Sequence, residues 1–580
     1  MDAHVGPTDR LDSSRFLDTL RAIVGPRHVL TRPGQTYRYR TGFRSGSGPA
    51  LAVVRPGTLM EQWRVLQACA AADKIILMQA ANTGLTGGST PDGDDYDRDI
   101  VIISPMRMAR IRLIDAGRQV ICHPGARLFQ LENILKPLGR EPHSVIGSSC
   151  IGAAVMGGVC NNSGGALIHR GPVFTQFALF ARVDEAGRLQ LVNHLGVRLG
   201  DSPEEILDRV DRDAFTEADI EHPAERVASN HHYARAVREI DADSPARFNA
   251  DPACLFEASG SAGKVAIFAV RLDTFPKDAW TKVFYIGTNN PDELTDIRRH
   301  VLATFDDLPV QGEYLHRTAF DIAERYGKDT FLAIQMLGTG RLPALFAFKG
   351  WFDSWAARLK VLPHDLSDRV LQVMSALFPP HLPKRMRDYR DRYEHHLMLK
   401  MADGGIEQAR MFLQSRFPSA DGDFFECDAA EGVKAFLHRF AAAGGAIRYR
   451  AIHRTEVADI VALDVALRRN DPAWVETLPD ELEEQTIHKM YYGHFFCHVF
   501  HQDYIIRKGN DPVGYEHAIW RLLDARRARY PAEHNYGHLY EAEAPLIDHY
   551  RSLDPCNCFN PGIGRTSKSA HWQRGRLRAA

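Results

Sequence analysis

A histidine-rich segment near the C-terminal end of the chain carries the side chains best suited to proton transfer and metal binding. His494, His498 and His501 are followed further on by the pair Glu533-His534. Histidine and glutamate are good ligands for zinc or manganese, and histidine is the natural general base near neutral pH. On a helix the three histidines would share one face, whereas on a strand His494 and His498 would be in phase and His501 would not. A hydrogen-bonded polar patch is the alternative interpretation.

A run of small residues, Gln79–Ser89, indicates a site where backbone rather than side chains contacts a ligand. The run directly follows the apolar segment Lys74–Met78 and contains Gly84, Gly87 and Gly88. Small residues let main-chain N–H groups come within hydrogen-bonding distance of a phosphate, and glycine tolerates positive φ. The run therefore predicts a pyrophosphate-binding loop, with an ordinary glycine-rich turn as the alternative.

Two further small-residue segments resemble this loop in composition. One extends from Gly147 to Gly165, and the other, Ser259–Gly263, enters the apolar run Val265–Val270. Three such loops next to predicted strands favour a long ligand that lies extended along exposed backbone. The G-x-G-x-x-G spacing of a Rossmann nucleotide site is absent from the sequence.

The composition indicates a soluble globular protein of two or three domains. The chain has 580 residues, of which 44% are hydrophobic and 25% charged. No apolar run approaches the ~18 residues of a membrane span, and the N-terminus lacks the features of a secretion signal. The nine cysteines show no paired CxxC spacing. We therefore expect a reduced, cytosolic-side protein without a disulfide framework.

The distribution of charge indicates an anionic surface as a partner. Residues 331–400 carry eleven Lys and Arg against six Asp and Glu, and residues 555–580 carry five basic residues and no acid. The aromatic run Phe346–Trp355 is followed by Arg358 and Lys360. Aromatic rings beside basic residues suit a membrane interface, although ordinary core packing is the alternative for such aromatics. No nucleic-acid motif is recognised, so nucleic acid is not a predicted partner.

The small-residue loops carry a resemblance to a known family. The string Asn82–Ser89 resembles the GGGTGLTGG loop of the FAD-binding fold in the vanillyl-alcohol-oxidase (p-cresol methylhydroxylase) superfamily. Gly147–Gly165 is similar to the second FAD segment, and Asn560–Gly564 resembles the NPG motif that ends many members. The resemblance covers nearly the whole chain. It is strongest to the bacterial respiratory D-lactate dehydrogenases that depend on quinone, whose corresponding segment appears almost intact at Pro142–Gly152.

The resemblance implies an α+β architecture. It consists of a two-subdomain FAD-binding fold of the p-cresol methylhydroxylase type plus an antiparallel-sheet cap domain with a basic, partly helical membrane-contact region. We place the FAD-binding domain at residues 1–275, with a polar excursion at about 200–250. The cap and substrate domain follows at 276–525 and includes the basic-aromatic membrane-contact region at about 331–420. A C-terminal return segment, 526–580, is expected to contribute active-site residues.

The resemblance also implies a non-covalent FAD. Where covalent members of the superfamily place a flavin-linking histidine, this chain has Thr83. The usual Arg-Gly-Gly-Gly start of the first loop is Gln79–Asn82 here. The implied cofactor-binding residues are Ala80, Ala81, Asn82, Thr83, Gly84, Gly88, Ser89, Gly147, Ala154, Gly164 and Ile267.

Related 2-hydroxyacid dehydrogenases give the histidine segment an implied role. They carry a GHxGDGNxH motif and a later EHGxG motif; His494 and His501 match the spacing of the first, and Glu533-His534 matches the start of the second. The resemblance implies a divalent metal on His494, His501 and Glu533, and His534 as the base that takes the hydroxyl proton. Phe496–Val499 replaces the Gly-Asp-Gly-Asn of the motif, so the metal remains open.

A carboxylate substrate requires a cation, and arginine offers a planar bidentate fork for it. The basic segment that begins at Lys384 makes Arg390 and Lys400 the predicted substrate anchors, with Arg385 as a rival. A solvated helix face with paired charges is the alternative for each of these arginines.

The implied reaction is the oxidation of D-lactate to pyruvate, with electrons passed to membrane quinone. The implied location is peripheral, on the cytoplasmic side of the bacterial inner membrane. Two alternatives remain at this point. One is a soluble D-2-hydroxyacid oxidase or a dehydrogenase with another acceptor. The other, from a different class, is a metal-dependent hydrolase built on the His/Glu cluster.

Overall fold

The computed structural model describes residues 7–144, 151–338 and 366–573. Within these ranges helices and strands mix in an α+β arrangement. The N-terminal half holds a four-stranded, a five-stranded and a two-stranded sheet, and the C-terminal half holds one seven-stranded sheet. None of the helices in these ranges combines the length and the apolar character needed to cross a membrane.

A small, mostly parallel sheet forms the first subdomain and leads into the predicted cofactor loop. Its elements are helices α1 (Pro7–Val24), α2 (Pro33–Arg40) and α3 (Leu59–Ala71) and strands β1 (Val29–Leu30), β2 (Ala52–Val54), β3 (Ile75–Met78) and β4 (Ile100–Ile103). The sheet order is β1-β2-β4-β3, with only β1 antiparallel. Helix α3 begins after Thr58, whose hydroxyl accepts the N–H of Glu61. The run Gln79–Ser89 leaves the carboxyl end of β3, where ligands bind in parallel sheets.

An antiparallel sheet forms the second subdomain. Its elements are strands β5 (Ile111–Ile114), β6 (Gln119–Cys122), β7 (Arg140–Glu141), β8 (Ala178–Val183), β9 (Leu189–Asn193), β10 (Ala266–Asp273) and β11 (Phe275–Pro276), with helices α4 (Leu128–Leu135), α5 (Val155–Cys160), α6 (Pro203–Asp211) and α7 (Tyr233–Ala236). The order β5-β6-β10-β8-β9 places β10 at the centre, and β7 pairs separately with β11. Residues 266–272 of β10 are all buried, and they are apolar except for Arg271.

Residues 200–250, predicted as a polar excursion, contribute side chains to two hydrophobic cores. The apolar face of α6, with Ile206, Leu207 and Val210, packs into the core that also holds α3. Further along, Tyr233 and Val237 belong to the core beneath the C-terminal sheet. A few apolar residues at helical spacing thus anchor this polar segment in both cores, and its description as an excursion from the domain stays a prediction.

A seven-stranded antiparallel sheet forms the cap. Its elements are β12 (Thr281–Thr288), β13 (Gln311–His316), β14 (His395–Ala402), β15 (Gly422–Glu426), β16 (Val457–Ala466), β17 (Thr486–His494) and β18 (Val499–Arg507), with α8 (Pro291–Thr304), α9 (Arg317–Tyr326), α10 (Lys328–Leu337), α11 (Leu366–Leu377), α12 (Lys384–Arg392), α13 (Gly405–Arg416), α14 (Ala429–Ile452), α15 (Asp480–Glu483) and α16 (Pro512–Ala525). The order is β15-β12-β14-β13-β17-β18-β16. One face packs on α8, α13 and α16, and the other on α9 and α14.

The C-terminal segment returns to the first subdomain. After α17 (Ala544–Leu553), Phe559 forms a parallel bridge with Ile76 of β3. The Asn560 side chain donates to the carbonyl oxygens of Gly88 and Ala262 at 2.9 and 2.8 Å. The segment that resembles the NPG motif therefore ties two of the small-residue loops together. The exact domain limits stay a prediction, although the cap sheet begins at Thr281, close to the expected 276.

Candidate active site

A strand–turn–strand hairpin, rather than a helix, brings His494 and His501 together. His494 ends β17, a short turn covers Phe495–Cys497, and His501 lies on β18 opposite Tyr492. The two imidazole rings lie 5.3 Å apart between centroids. His498 sits in the turn with φ +56°, and its Nδ1 bonds to the carbonyl oxygen of Arg468 at 2.8 Å. On a helix all three histidines would share one face, but in this hairpin only His494 and His501 lie together.

Glu533 completes the predicted metal-binding group. Its Oε2 lies 3.1 Å from Nε2 of His494 and 3.9 Å from Nε2 of His501. One ligand atom from each of the three residues lies within 4.8 Å of the others. Two imidazole nitrogens and one carboxylate oxygen form a donor set that suits zinc or manganese. The residues therefore fit a divalent metal, which stays a prediction.

Buried charges surround this group on both sides. Nδ1 of His494 bonds to Oε1 of Glu313 on β13 at 2.6 Å, and Nε of Arg439 on α14 lies 3.0 Å from the other oxygen of Glu313. At the opposite end, Arg247 donates to Oε1 of Glu533. Carboxylates that orient a histidine ligand through its second nitrogen are common around metal sites. The arrangement fixes the His494 ring whether a proton or a metal occupies its Nε2.

The charges shift the pKa values of the group in opposite directions. Burial alone would lower the pKa of His494, but the carboxylates of Glu313 and Glu533 outweigh it and raise this pKa to about 10. Burial would raise the pKa of Glu533, but the nearby cations Arg247 and His494 hold it well below its usual range. In the absence of a metal, His494 therefore stays protonated and Glu533 ionised near neutral pH.

The predicted base, His534, lies beside the group and is partly exposed. Its side chain is 40% exposed, and its ring stacks on that of His501 at 5.7 Å between centroids. Its backbone N–H and that of Glu533 both donate to Oδ2 of Asp464, at 2.8 and 2.6 Å. The same oxygen lies 3.6 Å from Nδ1 of His534. Asp464, on β16, therefore holds the Glu533-His534 backbone and faces one nitrogen of the predicted base.

Arg247 and Asp464 are residues that the sequence interpretation missed. Arg247 is 1% exposed, and its Nε and Nη1 have no hydrogen-bond partner among the described residues. A Cβ on Gly164 would come within 3.1 Å of the guanidinium carbon of Arg247 and within 2.8 Å of Oε1 of Glu533. Unsatisfied guanidinium N–H groups are costly when buried, so their presence indicates a site for an anion or a polar ligand group. A buried arginine within a polar segment carries no sequence signal that would single it out.

The predicted FAD loop is joined to this cluster through Asn535. The hydroxyl of Thr86 donates to Asn535 Oδ1 at 2.6 Å and also lies 2.8 Å from the backbone oxygen of Asn535. A Cβ on Gly88 would lie 2.0 Å from Nδ2 of Asn535, and one on Gly84 would lie 3.1 Å from its Oδ1. Asn82 adopts φ +53° and accepts a hydrogen bond from Ser89 at 3.1 Å. The absence of side-chain bulk along this loop fits a cofactor lying on its backbone.

The remaining predicted cofactor residues lie around the same region. Ala80, Ala81 and Thr83 are half-buried in the first loop. Ala154 immediately precedes α5, and Ile267 lies on the central strand β10. Gly147 lies outside the described residues. Buried side-chain oxygens of Asn162, Asn249 and Asn560 have no partner among the described residues, which fits a bound polar cofactor.

The two predicted substrate anchors differ in their surroundings. In the strand register, Lys400 on β14 lies opposite Gln311 on β13, and Glu313 on β13 lies opposite His494 on β17. Gln311 and Glu313 are two residues apart and share a sheet face, so Lys400 lies on the face that carries the cluster. Burial lowers the pKa of Lys400. Arg390 instead forms a bidentate pair with Asp321, with nitrogen–oxygen distances of 2.6 and 2.5 Å. Its guanidinium is bonded to Asp321, which is not part of the cluster. The contacts of Arg390 therefore do not support its predicted role as a substrate anchor.

The rival Arg385 is also paired, with Glu431 at the start of α14. The predicted aromatic run Phe346–Trp355, with Arg358 and Lys360, lies outside the described residues.

Comparison with known families supports the flavin site. Residues 50–190 match a family described as FAD binding domain, and residues 283–572 match one described as D-lactate dehydrogenase, membrane binding. The first match contains the predicted loop and confirms FAD as the cofactor. It also excludes the alternative of a hydrolase in which the glycine loops are only turns.

Solved structures show the fold. The chain is similar to 4-ethylphenol oxidase from Gulosibacter chungangensis, with a TM-score of 0.55 and 12% identity, covering 97% of this chain and 98% of that one. It is equally similar to p-cresol methylhydroxylase, with a TM-score of 0.55 and 12% identity over 96% and 98% of the two chains. These likenesses confirm the predicted α+β fold of the p-cresol methylhydroxylase type.

Sequence relatives establish the family. The chain is 58% identical to the quinone-dependent D-lactate dehydrogenase of Escherichia coli (strain K12), over 97% of this chain and 98% of the relative. It is 47% identical to the enzyme of the same name from Corynebacterium glutamicum, over 97% and 98%. These identities, together with the match of residues 283–572 to the family described as D-lactate dehydrogenase, membrane binding, show that the chain belongs to the family of quinone-dependent D-lactate dehydrogenases.

Proposed function

We propose that the protein oxidises D-lactate to pyruvate and passes the electrons to a membrane quinone. The observation that carries the proposal is the near full-length identity to relatives named for this activity. Contacts that join His534, Arg247 and the Gln79–Ser89 loop through residues 533–535 also support the proposal. The name of these relatives favours quinone over oxygen as the acceptor, and therefore favours a dehydrogenase over the oxidase alternative.

The loop residues hold the cofactor. Backbone of Ala80–Gly84 and Gly88-Ser89 would bind the pyrophosphate, and the unsatisfied oxygens of Asn162 and Asn560 are available for further polar contacts. When bound, FAD supplies the acceptor for the hydride equivalent that leaves C2 of the hydroxyacid. Because Thr83 stands where covalent members have a flavin-linking histidine, the cofactor is non-covalent in this proposal.

His534 acts as the general base. Its Nδ1 faces Oδ2 of Asp464 at 3.6 Å, so Nε2 is the nitrogen that remains to accept the hydroxyl proton of the substrate. The Asp464 carboxylate fixes the ring orientation and stabilises the imidazolium that forms, as a carboxylate does behind a catalytic histidine. The partial exposure of His534 lets the substrate reach this nitrogen.

Arg247 binds the substrate carboxylate in this proposal. Its two unpartnered nitrogens, Nε and Nη1, can donate to a carboxylate in a buried place, where such a charge-assisted hydrogen bond is strong. Lys400 is a second cation on the face of the cluster. Glu533, bonded to Arg247, keeps the guanidinium in place. This assignment shifts the anchor from Arg390 to Arg247.

His494, His501 and Glu533 are the residues that would hold a divalent metal. Such an ion would polarise the substrate hydroxyl as a Lewis acid and ease its deprotonation by His534. Elemental analysis of the purified protein tests whether one is bound.

The membrane contact is proposed to be peripheral, on the cytoplasmic side of the inner membrane. The basic excess of residues 331–400 would attract anionic lipid headgroups, at about 1 kcal/mol per cation near the surface. The family match described as membrane binding contains this segment.

Product analysis tests the proposed reaction. Under anaerobic conditions, D-lactate and a water-soluble quinone should yield pyruvate and quinol in equal amounts, and L-lactate should yield neither. Peroxide formed in air in amounts equal to pyruvate, without any quinone, would show an oxidase instead.

A further inference from the structure

Helix α11 exposes an apolar stripe to solvent. Val370 is 47% exposed, Val373 68%, Met374 49% and Leu377 84%, and Phe378 directly after the helix is 50% exposed. These positions recur at the spacing of one helix face. Single exposed apolar side chains are ordinary, but a contiguous stripe marks an interaction surface.

The opposite face of α11 is polar and buried, which reverses the usual pattern of a surface helix. Asp368 is 8% exposed and Ser375 3%. Oδ1 of Asp368 lies 2.7 Å from Nε of Arg448 on α14, and Nη2 of Arg448 lies 2.8 Å from Asp329 on α10. Turning the apolar stripe inward would break this buried ion pair, which is strongly unfavourable once one partner is lost. The fold therefore holds the stripe outward.

Exposed apolar and basic side chains also occur on α11 itself and on the helices that come before and after it in the chain. Met336 on α10 is 78% exposed. Lys328, at the start of α10, donates to the carbonyl oxygen of Phe378. Arg369 on α11 is exposed, and the side chain of Lys384 on α12 is 81% exposed. Apolar side chains bordered by lysine and arginine are the composition of a helix that lies at a membrane interface.

We infer that this face of α11, the stripe Val370–Phe378, inserts into the apolar boundary of a lipid bilayer. The inference rests on the membrane association proposed above and names the surface that carries it. The family match described as membrane binding covers the whole stripe, and the acceptor named for the relatives is a quinone. A helix of 12 residues is about 18 Å long, which is too short to span a bilayer and suits a position parallel to its surface.

Vesicle binding at high salt separates this insertion from electrostatic attraction. The full-length FAD-loaded protein is floated with neutral phosphatidylcholine vesicles in 1 M NaCl, where the screening length is about 3 Å. Wild type should still bind, and the double variant Val373→Asp, Leu377→Asp should partition at least about tenfold less. Val513→Asp is the matched control, because Val513 is 59% exposed on α16, outside the stripe. It should bind as wild type does.

Loss of wild-type binding to neutral vesicles in 1 M NaCl would overturn the inference, as would unchanged binding of the folded double variant. A wild-type dimer that the double variant abolishes in lipid-free solution would also overturn it, by showing that a second copy covers the stripe. D-lactate oxidation with a water-soluble quinone should be retained in all variants. If wild type lacks this activity, the proposed reaction fails, whereas the vesicle result stands independently.

Discussion

The backbone N–H of His534 donates to Oδ2 of Asp464 at 2.8 Å, and the same oxygen lies 3.6 Å from the ring Nδ1 of His534. One carboxylate oxygen thus accepts the backbone N–H of the proposed base and also lies close to its ring. Asp464 is fully buried, so the contact is shielded from solvent. The pair links β16 of the cap to the C-terminal return segment.

Replacing Asp464 should impair catalysis without loss of cofactor. Asp464→Asn keeps the shape but removes the charge that stabilises an imidazolium on His534, so we expect kcat to fall by about a hundredfold. The measurement is steady-state oxidation of D-lactate, with flavin absorbance as the check on cofactor content. Asp503→Asn is the control, because Asp503 is a buried carboxylate on β18 that bonds instead to Tyr492. Equal losses in the two variants would contradict a specific role for Asp464.

Replacing Arg247 should raise the KM for D-lactate. Arg247→Lys keeps the positive charge beside Glu533 but loses the planar fork, so we expect KM to rise about tenfold to a hundredfold. Arg390→Ala should change KM less than about twofold, because Arg390 pairs with Asp321 at a partly exposed site. A larger rise in KM for Arg390→Ala than for Arg247→Lys would instead indicate that Arg390 binds the substrate carboxylate.

A side chain at Gly88 should block cofactor binding. Its Cβ would lie 2.0 Å from Nδ2 of Asn535 and so would displace the side chain that joins the FAD loop to the active site. Gly88→Ala should therefore be purified with little flavin, as measured by the ratio of visible to ultraviolet absorbance. Gly34→Ala serves as control, since nothing lies within 4 Å of a Cβ there. Full flavin content in Gly88→Ala would contradict a requirement for this Gly88–Asn535 contact in cofactor binding.

Much of the fold and part of the site were predictable from the sequence. FAD as the cofactor could be predicted from the small-residue loops and their resemblance to the known family, because such loops are recognisable from local composition alone. The pairing of His494 with His501 was not readable from spacing, since a helix and a hairpin both unite residues seven apart. Only the turn at Phe495–Cys497 decides between them.

The substrate anchors show a second limit. The register of β14 with β13 places Lys400 on the sheet face that carries the cluster, and the packing of a segment predicted as an excursion brings Arg247 to Glu533. Both depend on long-range contacts that residue type does not encode. Arg390 has the right chemistry, but its nearest carboxylate, Asp321, lies on another helix and could not be anticipated.

Acid should destabilise the cap through buried histidines. Burial, with nearby positive charge, lowers the pKa of His381 to about 4 and that of His396 to about 3. In the unfolded chain both titrate near 6.5, so between pH 6.5 and these values the unfolded state binds more protons. The free energy of unfolding therefore falls as pH decreases through this window, by about 1.4 kcal/mol per pH unit for each group.

Urea unfolding at pH 7.5 and 5.5 measures this loss. The variant His396→Leu removes one of the two groups, so its stability should depend less steeply on pH than that of wild type. The same pH dependence in the variant and in wild type would show that His396 does not contribute.

Anaerobic mixing of His534→Ala with D-lactate tests the central claim most directly. The variant should retain FAD, with normal visible absorbance, because His534 is not part of the cofactor loop. Its flavin should nevertheless be bleached by D-lactate at least about a hundredfold more slowly than that of wild type, since the side chain proposed to take the hydroxyl proton is removed. Bleaching of the variant at the wild-type rate would contradict the assignment of His534 as the base.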